Sequence, residues 1–407
     1  MRTTVARKLT TKLQKLHAQS CSANANIPAT TRPVRACVPC SDPFHCLAEC
    51  AKKGPAMTRS HAICIALTLS ATLTHAQTLP VSSGPRRDWQ KYPAILSIPA
   101  SPLIYAVGDP HADYDRLAQL LTAAKIIEPS PAAPTAARWK GGAAVLVCTG
   151  DLIDKYNQSL AVISLLRTLQ EQAQIAGGRV IVTLGNHEAE FLASSGTDKK
   201  SADFISELTA AHIVPADVAL GRDSAGIGAW LRNLPAGAKV GNWFFCHAGN
   251  TGGATLANLD KAIETAVDAN GWNTPVLIDA NSMLEARMHP RQWWDWNGRD
   301  PQLETAPAVQ RPADAAAGKA RLQRLIEALG AKHLVFGHQP GKIKFLDGTE
   351  RAKGQMYTKF DGLVFLIDTG LSRGVQAGRA AVLQIDSNPP RATALYIDGA
   401  TETLWPR

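Results

Sequence analysis

The sequence predicts an α/β fold built on a mostly parallel sheet. Short apolar runs end in Gly-Asp, Gly-Asn or His at five places along the chain. The segments between the first three runs have helical periodicity, so the first half of the domain has the order β-α-β-α-β. That order favours right-handed crossovers and a parallel sheet with helices packed on it. In open sheets of this kind, ligands bind beyond the carboxyl ends of the strands.

The first strand is predicted at Leu103–Val107, which runs into Gly108-Asp109-Pro110-His111. A helix follows from Tyr114, and Asp113 is a plausible N-cap because its side chain can accept a hydrogen bond from the first turn. The next strand, Ala144–Cys148, is broken by Gly150 and Asp151. A carboxylate is therefore presented just beyond each of the two strand ends.

The remaining elements of the first half follow the same alternation. Ser159–Ala173 has the apolar spacing of an amphipathic helix, and Val180–Leu184 is a strand that runs into Gly-Asn-His-Glu, which includes Asn186 and His187. From residue 191 to residue 241 the pattern is helical and less regular.

Two further strands end in histidine. Trp243–Cys246 leads into His247, and the run at Leu334 leads through Gly337 into His338. Late strands are predicted in three places, the last two forming a hairpin whose turn has about four to six residues. They are Leu363–Asp368, Ala380–Ile385 and Ala392–Ile397.

The net charge of +9 comes from one end of the 407-residue chain. Residues 1–56 contain nine Lys/Arg and two Asp/Glu, whereas from Gln77 onward 33 basic residues face 32 acidic ones. The body of the protein is therefore nearly neutral, and its basic composition is no argument for a nucleic-acid partner. We expect no nucleic acid to bind.

The first 76 residues differ from the rest. Met57 and Arg59 begin a short positive stretch, residues 62–73 are mostly apolar, and small residues lead to Ala76. This pattern predicts a signal peptide at residues 57–76, with residues 1–56 as a non-functional or disordered upstream extension. The protein would then be exported, to the periplasm or the medium, with no membrane span left after processing. If Met57 is not the start, we expect a cytoplasmic protein.

Other interpretations of this region remain open. Five cysteines lie in residues 1–56, and Cys37 and Cys40 followed by Cys46 and Cys50 resemble a small zinc knuckle. The apolar run alone is also compatible with a short core helix. Beyond residue 76, Cys148 and Cys246 are the remaining cysteines, and both are predicted to be buried apolar side chains without a disulfide.

We divide the rest of the chain into a Pro-rich leader at residues 77–102 and one domain at residues 103–400. Within the domain, residues 250–330 are predicted as a loop insertion over the active-site face, where loops select substrates. Trp293 and Trp294 in this insertion either line a pocket mouth or clamp the loop.

The motifs at the strand ends carry a family resemblance. Gly-Asp-x-His, Gly-Asp-x-x-Asp, Gly-Asn-His-Glu, His-Ala-Gly and Gly-His-Gln occur in this order between about Leu103 and Gly374. Together they resemble the calcineurin-like metallophosphoesterase superfamily. Two features resemble the phosphoprotein phosphatase branch: no Tyr follows Asp151, and Gly337-His338-Gln339 lacks a second His. The late Asp368-Thr369-Gly370 is similar to the bacterial Shewanella-like members of that branch. The resemblance implies a four-layer αββα sandwich.

The resemblance also implies a role for each motif residue. Asp109 and His111 would bind a first metal ion, and Asp151 would bridge to a second metal ion. Mixed nitrogen and oxygen ligands suit Mn, Fe or Zn. The ligands implied for the second ion are Asn186, His247 and His338.

Further implied roles concern the proton and the phosphate. His187 resembles the general acid, and Asp154 resembles the carboxylate that orients it. Lys155 replaces the usual Arg, so it would bind phosphate through one point charge instead of a fork. Arg287 or Arg291 would supply a second phosphate contact.

Two residues next to the implied site residues also bear on the site. Ala112 stands where the family usually has Gly, which raises the question of the sign of its φ angle. Glu188 is predicted as a helix N-terminal charge or a partner of the metal ligands, and not as a ligand itself.

The function implied is hydrolysis of phosphomonoesters by a dinuclear metal site. A metal-bridging hydroxide would attack the phosphorus of a phosphorylated small molecule or phosphoprotein. One alternative is a nucleotide or phosphodiester hydrolase of the same superfamily. A second is a metal- or phosphate-binding protein without catalysis, against which the complete set of motif residues argues.

Overall fold

The computed structural model describes residues 84–129, 131–194, 196–197, 199–288, 311–345, 348–375 and 378–406. All of them belong to one compact unit. The predicted upstream extension, signal peptide and zinc knuckle lie outside the described residues, as do Trp293 and Trp294. No helix in the described part of the chain is long and apolar enough to cross a membrane.

The first six-stranded sheet contains the strands that were predicted around the first three motifs. Strands β2, β3 and β4 pair in parallel, as the β-α-β-α-β pattern predicted. On the other side of β2, strands from the C-terminal part of the chain continue the sheet in antiparallel fashion, giving the order β14-β13-β12-β2-β3-β4. The strands are β2 (Leu103–Val107), β3 (Val145–Cys148), β4 (Arg179–Val182), β12 (Ala381–Ser387), β13 (Pro390–Tyr396) and β14 (Thr401–Trp405).

The second six-stranded sheet has the order β1-β5-β6-β7-β11-β10. Strands β6, β7 and β11 are parallel, whereas β5 and β10 are antiparallel to their neighbours β6 and β11. Its strands are β1 (Ile95–Ile98), β5 (Gly237–Val240), β6 (Trp243–Cys246), β7 (His333–Phe336), β10 (Tyr357–Lys359) and β11 (Val364–Leu366). A separate two-stranded ribbon pairs β8 (Ile343–Lys344) with β9 (Glu350–Arg351).

The two sheets pack face to face. Alternate side chains of β2, such as Ile104 and Ala106, share a buried cluster with Phe245 and Val335 of the second sheet. The intervening side chains, such as Tyr105, belong to the other buried cluster, to which the helices contribute. This alternation places one core between the sheets and helices outside them. The predicted αββα sandwich is thus confirmed.

The helices have the amphipathic spacing that such outer layers need. Asp113 caps α1, accepting from the backbone N–H of Arg116, as predicted. The helices are α1 (Tyr114–Ala123), α2 (Ser159–Ile175), α3 (Asn186–Ala193), α4 (Ala202–Ala210), α5 (Pro215–Ala219), α6 (Ile227–Arg232), α7 (Leu256–Asn270), α8 (Pro275–Ile278) and α9 (Arg311–Ala328).

Some elements differ from the sequence-based expectation. The segment assigned as leader contains β1, which pairs with β5, and the chain adds β14 after the predicted late strands. The hairpin turn is tighter than expected, because only Asn388 and Pro389 separate β12 from β13. The segment 250–330 contains α7, α8 and α9, and buried residues of α7 and α9 join the cluster that includes Phe244 and Phe336. Both Cys148 and Cys246 are buried free thiols, as predicted.

Candidate metal centre and active site

The loops after β2, β3 and β4 meet at one point because glycine allows them to approach closely. Gly150 has a φ of +91°, and a Cβ at this position would lie 2.3 Å from the backbone nitrogen of Gly185. The loop after β2 is tied to the loop after β3, since the His111 N–H donates to the Asp151 carbonyl at 2.8 Å. Asp151 is therefore presented between the two neighbouring loops.

The carboxylate of Glu188 holds the loops after β3 and β4 together. Its buried carboxylate accepts hydrogen bonds from the backbone N–H groups of Asp151 at 2.9 Å and Leu152 at 2.8 Å. It also accepts from Ile153 at 3.3 Å and from Gly185, at the start of its own helix, at 2.9 Å. Burial and the nearby Asp151 carboxylate raise the pKa of Glu188 to about 7. Glu188 therefore fixes the loops that carry other site residues, in line with its predicted supporting role.

The first implied metal position lies at Asp109, His111 and Asp151. His111 Nε2 is 3.5 Å from Asp151 Oδ2, and its other ring nitrogen faces the Ile153 carbonyl at 3.4 Å. Asp109 Oδ2 accepts from the His338 N–H at 2.9 Å, but Asp109 Oδ1 is buried without a hydrogen-bond partner among the described residues. Gly337 leaves room for that oxygen, because a Cβ there would be 2.1 Å away. A buried carboxylate oxygen without a donor fits a metal ligand.

The second implied position brings together residues from both sheets. His247 Nε2 lies 3.0 Å from Asn186 Oδ1, 3.0 Å from His338 Nδ1 and 3.4 Å from Asp151 Oδ1. Ligand atoms of Asp151, His247 and His338 lie within 4.8 Å of one another. Asp151 and Asn186 follow strands of the first sheet, and the two histidines follow β6 and β7 of the second sheet.

The hydrogen bonds of the two histidines assign their tautomers. His247 Nδ1 is 2.8 Å from the Thr149 carbonyl, and His338 Nε2 is 3.1 Å from the Glu285 carbonyl, so each of these nitrogens carries the proton. The facing nitrogens, His247 Nε2 and His338 Nδ1, then both present lone pairs. When both rings are neutral, these two nitrogens and the Asn186 and Asp151 oxygens form a group of acceptors that face one another. Such a group fits a cation, and the backbone carbonyls orient the histidines as ligands usually are oriented.

The charges of the buried site residues also favour the binding of a cation. Burial and the Asp368 carboxylate raise the pKa of Asp109 well above its usual value. Burial opposes a charged His247, but the Asp151 and Asp109 carboxylates outweigh burial and raise its pKa to about 10. Burial and the charge of His247 lower the pKa of His338 to about 2. The buried carboxylates thus attract positive charge that the two histidines cannot both supply.

His187 lies beside this cluster, paired with Asp154. His187 Nδ1 is 3.4 Å from Asp154 Oδ2, and the other oxygen of Asp154 accepts from the Phe204 N–H at 3.0 Å. Burial opposes a charged His187, but the carboxylates of Asp151 and Asp154 outweigh burial and raise its pKa. A buried carboxylate that orients a histidine is the arrangement of a general acid. Ligand atoms of His187, His111 and Asp151 also lie within 4.8 Å of one another, so His187 has the geometry of a ligand as well.

The implied phosphate contacts lie around the edge. Lys155 is exposed, and its charge is close enough to His187 to oppose the rise of the His187 pKa. Arg287 is also exposed, with one terminal nitrogen 3.5 Å from the His338 carbonyl oxygen. Arg291 lies outside the described residues.

Two residues near the site carry roles that sequence reasoning missed. Asp368 follows β11, its Oδ1 accepts from the Gly370 N–H at 2.8 Å, and its Oδ2 is buried without a hydrogen-bond partner in the described part of the chain. Its position after a strand was the signal that could have added it to the site. Arg351 is fully buried and donates to the carbonyls of Asp368, Gln339, Gly341 and Gln355. Nothing in its sequence neighbourhood marks it.

Several site residues have left-handed backbone conformations. His111, Asp151 and His338 have φ angles of +39°, +52° and +66°. Ala112 has a φ of +55°, so the alanine adopts the conformation that favours glycine. Backbone strain of this kind is maintained where surrounding contacts over-determine the conformation, and it is concentrated at functional sites.

The sandwich fold and the cluster of acceptor atoms are those of a metal-dependent phosphoesterase, the class of enzyme that the motifs predicted. The family model of the calcineurin-like phosphoesterases matches residues 102–342, which is more than half of the chain. The chain therefore belongs to the calcineurin-like phosphoesterase family.

Relatives support the Shewanella-like branch within that family. Shewanella-like protein phosphatase 1 of Plasmodium berghei is 25% identical over 301 residues, 72% of this chain and 75% of that protein. Shewanella-like protein phosphatase 2 of Arabidopsis thaliana is 32% identical over 85 residues, 21% of this chain. An uncharacterized protein of Schizosaccharomyces pombe is 37% identical over 98 residues, 24% of this chain. The last two alignments span 20% and 26% of those relatives' lengths.

Solved structures confirm the fold. A cold-active protein tyrosine phosphatase of a Shewanella species has a TM-score of 0.53 and 23% identity, over 76% of this chain and 82% of that one. Another structure of a cold-active protein tyrosine phosphatase has a TM-score of 0.55 and 22% identity, over 75% and 80% of the two chains.

Proposed function

We propose that the protein hydrolyses phosphomonoesters, with phosphoproteins as its substrate class, at a dinuclear metal site. The single observation that carries the proposal is the cluster of buried nitrogen and oxygen atoms of His247, His338, Asn186 and Asp151 beside the His187–Asp154 pair. The cluster suits metal binding, and the pair suits delivery of a proton. A site with both can activate water and stabilise a leaving alkoxide.

The residues divide into two ligand sets with one shared member. Asp109 and His111 would hold a first ion and Asn186, His247 and His338 a second, with Asp151 common to both. The nitrogen and oxygen donors suit Mn, Fe or Zn. Two such ions, when bound, lower the pKa of a water molecule and neutralise charge on the phosphate.

The other side chains act on the substrate. Lys155 and Arg287 extend positive charge at the edge of the site, where phosphate oxygens would approach. His187 would donate its proton to the leaving oxygen, and Asp154 would hold the imidazole in the required orientation. Phosphoproteins are favoured as substrates because the named relatives and the neighbouring structures are protein phosphatases.

The substrate class is tested with purified protein and added Mn, Fe or Zn. We expect release of phosphate from phosphopeptides and from an aryl phosphomonoester, and much slower hydrolysis of a bis-ester. Faster hydrolysis of the bis-ester or of a nucleotide would favour the other hydrolase reaction. No turnover with full metal occupancy would indicate a binding protein.

The shared role of Asp151 is tested by elemental analysis of variants. Asp151→Asn should lose both metal ions together, whereas Asn186→Ala should weaken mainly one. Asp151 belongs to both ligand sets, whereas Asn186 belongs only to the second. Two full metal ions retained in Asp151→Asn would remove the shared role.

A further inference from the structure

A basic groove begins at the edge of the site and continues away from it. Arg287, Lys342 and Lys344 line it together with Gln339, Met288 and Ile343, around a cavity of about 440 Å³. The three cations are exposed, whereas Met288 and Ile343 are buried in its floor. We call this surface the basic groove.

The groove is continuous with the catalytic centre. Arg287 approaches the carbonyl of His338, and Gln339 is the next residue after His338. Gln339 Oε1 accepts from the Met288 N–H at 2.6 Å, which joins the two walls of the groove. Arg351, buried below, donates to the Gln339 carbonyl. The groove is therefore held in a defined position relative to the metal ligands.

The charge of the groove is positive and only partly compensated. Lys342 forms an ion pair of 2.6 Å with Glu350, which is the cross-strand neighbour of Lys344 on the β8–β9 ribbon. Among the described carboxylates, Glu350 is the one that pairs with a groove cation, so Arg287 and Lys344 have no carboxylate partner in the described part of the chain. No carboxylate is among the described residues that line the cavity.

We propose that the basic groove binds acidic residues that flank the phosphorylated side chain of a peptide substrate. The proposal rests on the proposed phosphatase function and names the substrate more narrowly. Cations near the catalytic centre favour carboxylates through charge complementarity, and the buried apolar floor can accept the backbone and side-chain stems between them. The groove presents three cations in a short space, which suits a few residues of a peptide better than a long polyanion.

The experiment compares two phosphopeptides that differ only in having Asp/Glu or Gln/Asn beside the phosphorylated residue. For the wild-type holoenzyme we expect kcat/KM to be higher for the acidic peptide by about threefold to tenfold, the range of a few exposed ion pairs. Added salt should reduce the preference, because exposed charges are screened. Lys344→Glu should abolish the preference while leaving turnover of a small aryl phosphate unchanged.

Lys140→Glu is the matched control, because Lys140 is an exposed lysine in the loop before β3 and outside the groove. It should keep the preference for the acidic peptide. Equal kcat/KM for the two peptides in the wild type, or an unchanged preference in Lys344→Glu, would overturn the proposal.

A binding measurement separates this proposal from the proposed function. An unphosphorylated acidic peptide should bind the wild-type protein and bind Lys344→Glu several-fold more weakly, whether or not any ester is hydrolysed. Absence of binding would contradict the groove even in an active enzyme. Tighter binding of an oligonucleotide of equal charge would assign the groove to nucleic acid and also overturn the proposal.

Discussion

Ala112 shows how a single residue can depart from a family motif without loss of the site. A left-handed conformation costs a non-glycine residue about 1–2 kcal/mol. The Ala112 methyl group is fully buried, and burying one such group returns about 0.8 kcal/mol. Its N–H also donates to the Leu152 carbonyl at 2.8 Å. Burial of the methyl group therefore offsets part of the strain of an alanine beside His111.

His187 provides the sharpest test at the scale of a residue. If it protonates the leaving oxygen, His187→Ala should slow hydrolysis of alkyl phosphates by about 10²–10⁴-fold, the usual range for general acid catalysis. An activated aryl phosphate has a leaving group that needs little protonation, so its hydrolysis should slow much less. The measurement is kcat/KM for both substrates.

Asp154→Asn and metal content serve as controls for this prediction. Asp154→Asn should show the same bias more mildly, because the imidazole remains but is less well oriented. Both variants should retain their metal ions. Loss of metal in His187→Ala would make His187 a ligand, and equal losses on both substrates would indicate a role in phosphate binding.

The residues of the site and the supporting role of Glu188 were predictable, but the support from Arg351 was not. Asp109, His247 and the other motif residues follow apolar strands, so their convergence could be inferred from the carboxyl ends of the strands. Arg351 lies on a short ribbon outside both large sheets, and it donates to backbone carbonyls of Gly341 and Asp368 in separate loops. Hydrogen bonds from a side chain to carbonyls of irregular segments leave no periodic pattern in the sequence.

At the scale of elements, the loop after β3 depends on one carboxylate of α3. Glu188→Gln replaces one acceptor oxygen by an NH₂ group that faces backbone N–H donors. We expect a loss of about 1.5–3 kcal/mol in the free energy of unfolding, the range for hydrogen bonds to a charged group. Metal affinity should fall as well, because the loop carries Asp151. Chemical denaturation and metal titration measure the two effects.

Glu207→Gln is the control for this prediction. Glu207 also accepts from backbone N–H groups of another segment, Ser159 and Leu160, but this contact lies at the start of α2. It should lower stability without changing metal affinity. If both variants weaken metal binding equally, the effect of Glu188 is one of global stability.

The elements themselves were predicted to different extents. The strands around β2, β3 and β4 were predictable because their apolar runs end at Gly and alternate with helical periods. Strands β1 and β5 were missed, since neither is a continuous apolar run and each is stabilised by pairing with the other, across more than a hundred residues of chain. Their pairing depends on the assembled sheet and not on local propensity.

At the scale of the whole molecule, the signal-peptide pattern of residues 57–76 leads to a prediction about processing. We propose that residues 57–76 direct export and are then removed. A chain that starts at Met57 should be found outside the cytoplasm with an N-terminus near Gln77, and it should have the full activity of the longer chain. N-terminal sequencing of the native protein is the measurement. A mature N-terminus near Met1, with zinc bound by Cys37 and Cys40, would contradict it.

Metal removal should affect the stability of the whole domain, because the second ligand set spans both sheets. A ligand that binds only the folded state stabilises it by about 2.7 kcal/mol at one hundred times its Kd. Chelation should therefore lower the Tm of one cooperative transition. His338→Ala should reduce this difference. A Tm that is insensitive to chelation, with metal shown to be lost, would contradict the prediction.

The pairing of β12 with β2 has a consequence for how the protein is made. Strand β2 opens the first sheet, yet its neighbour on one side is synthesised about 280 residues later. During translation the β2 edge stays open, and the growing chain cannot complete the sheet until β12 emerges. A chain passed through a membrane would likewise close the sandwich only on the far side. Catalysis would then begin only after β12 has been synthesised, and a chain terminated before β12 would expose an unpaired strand to degradation.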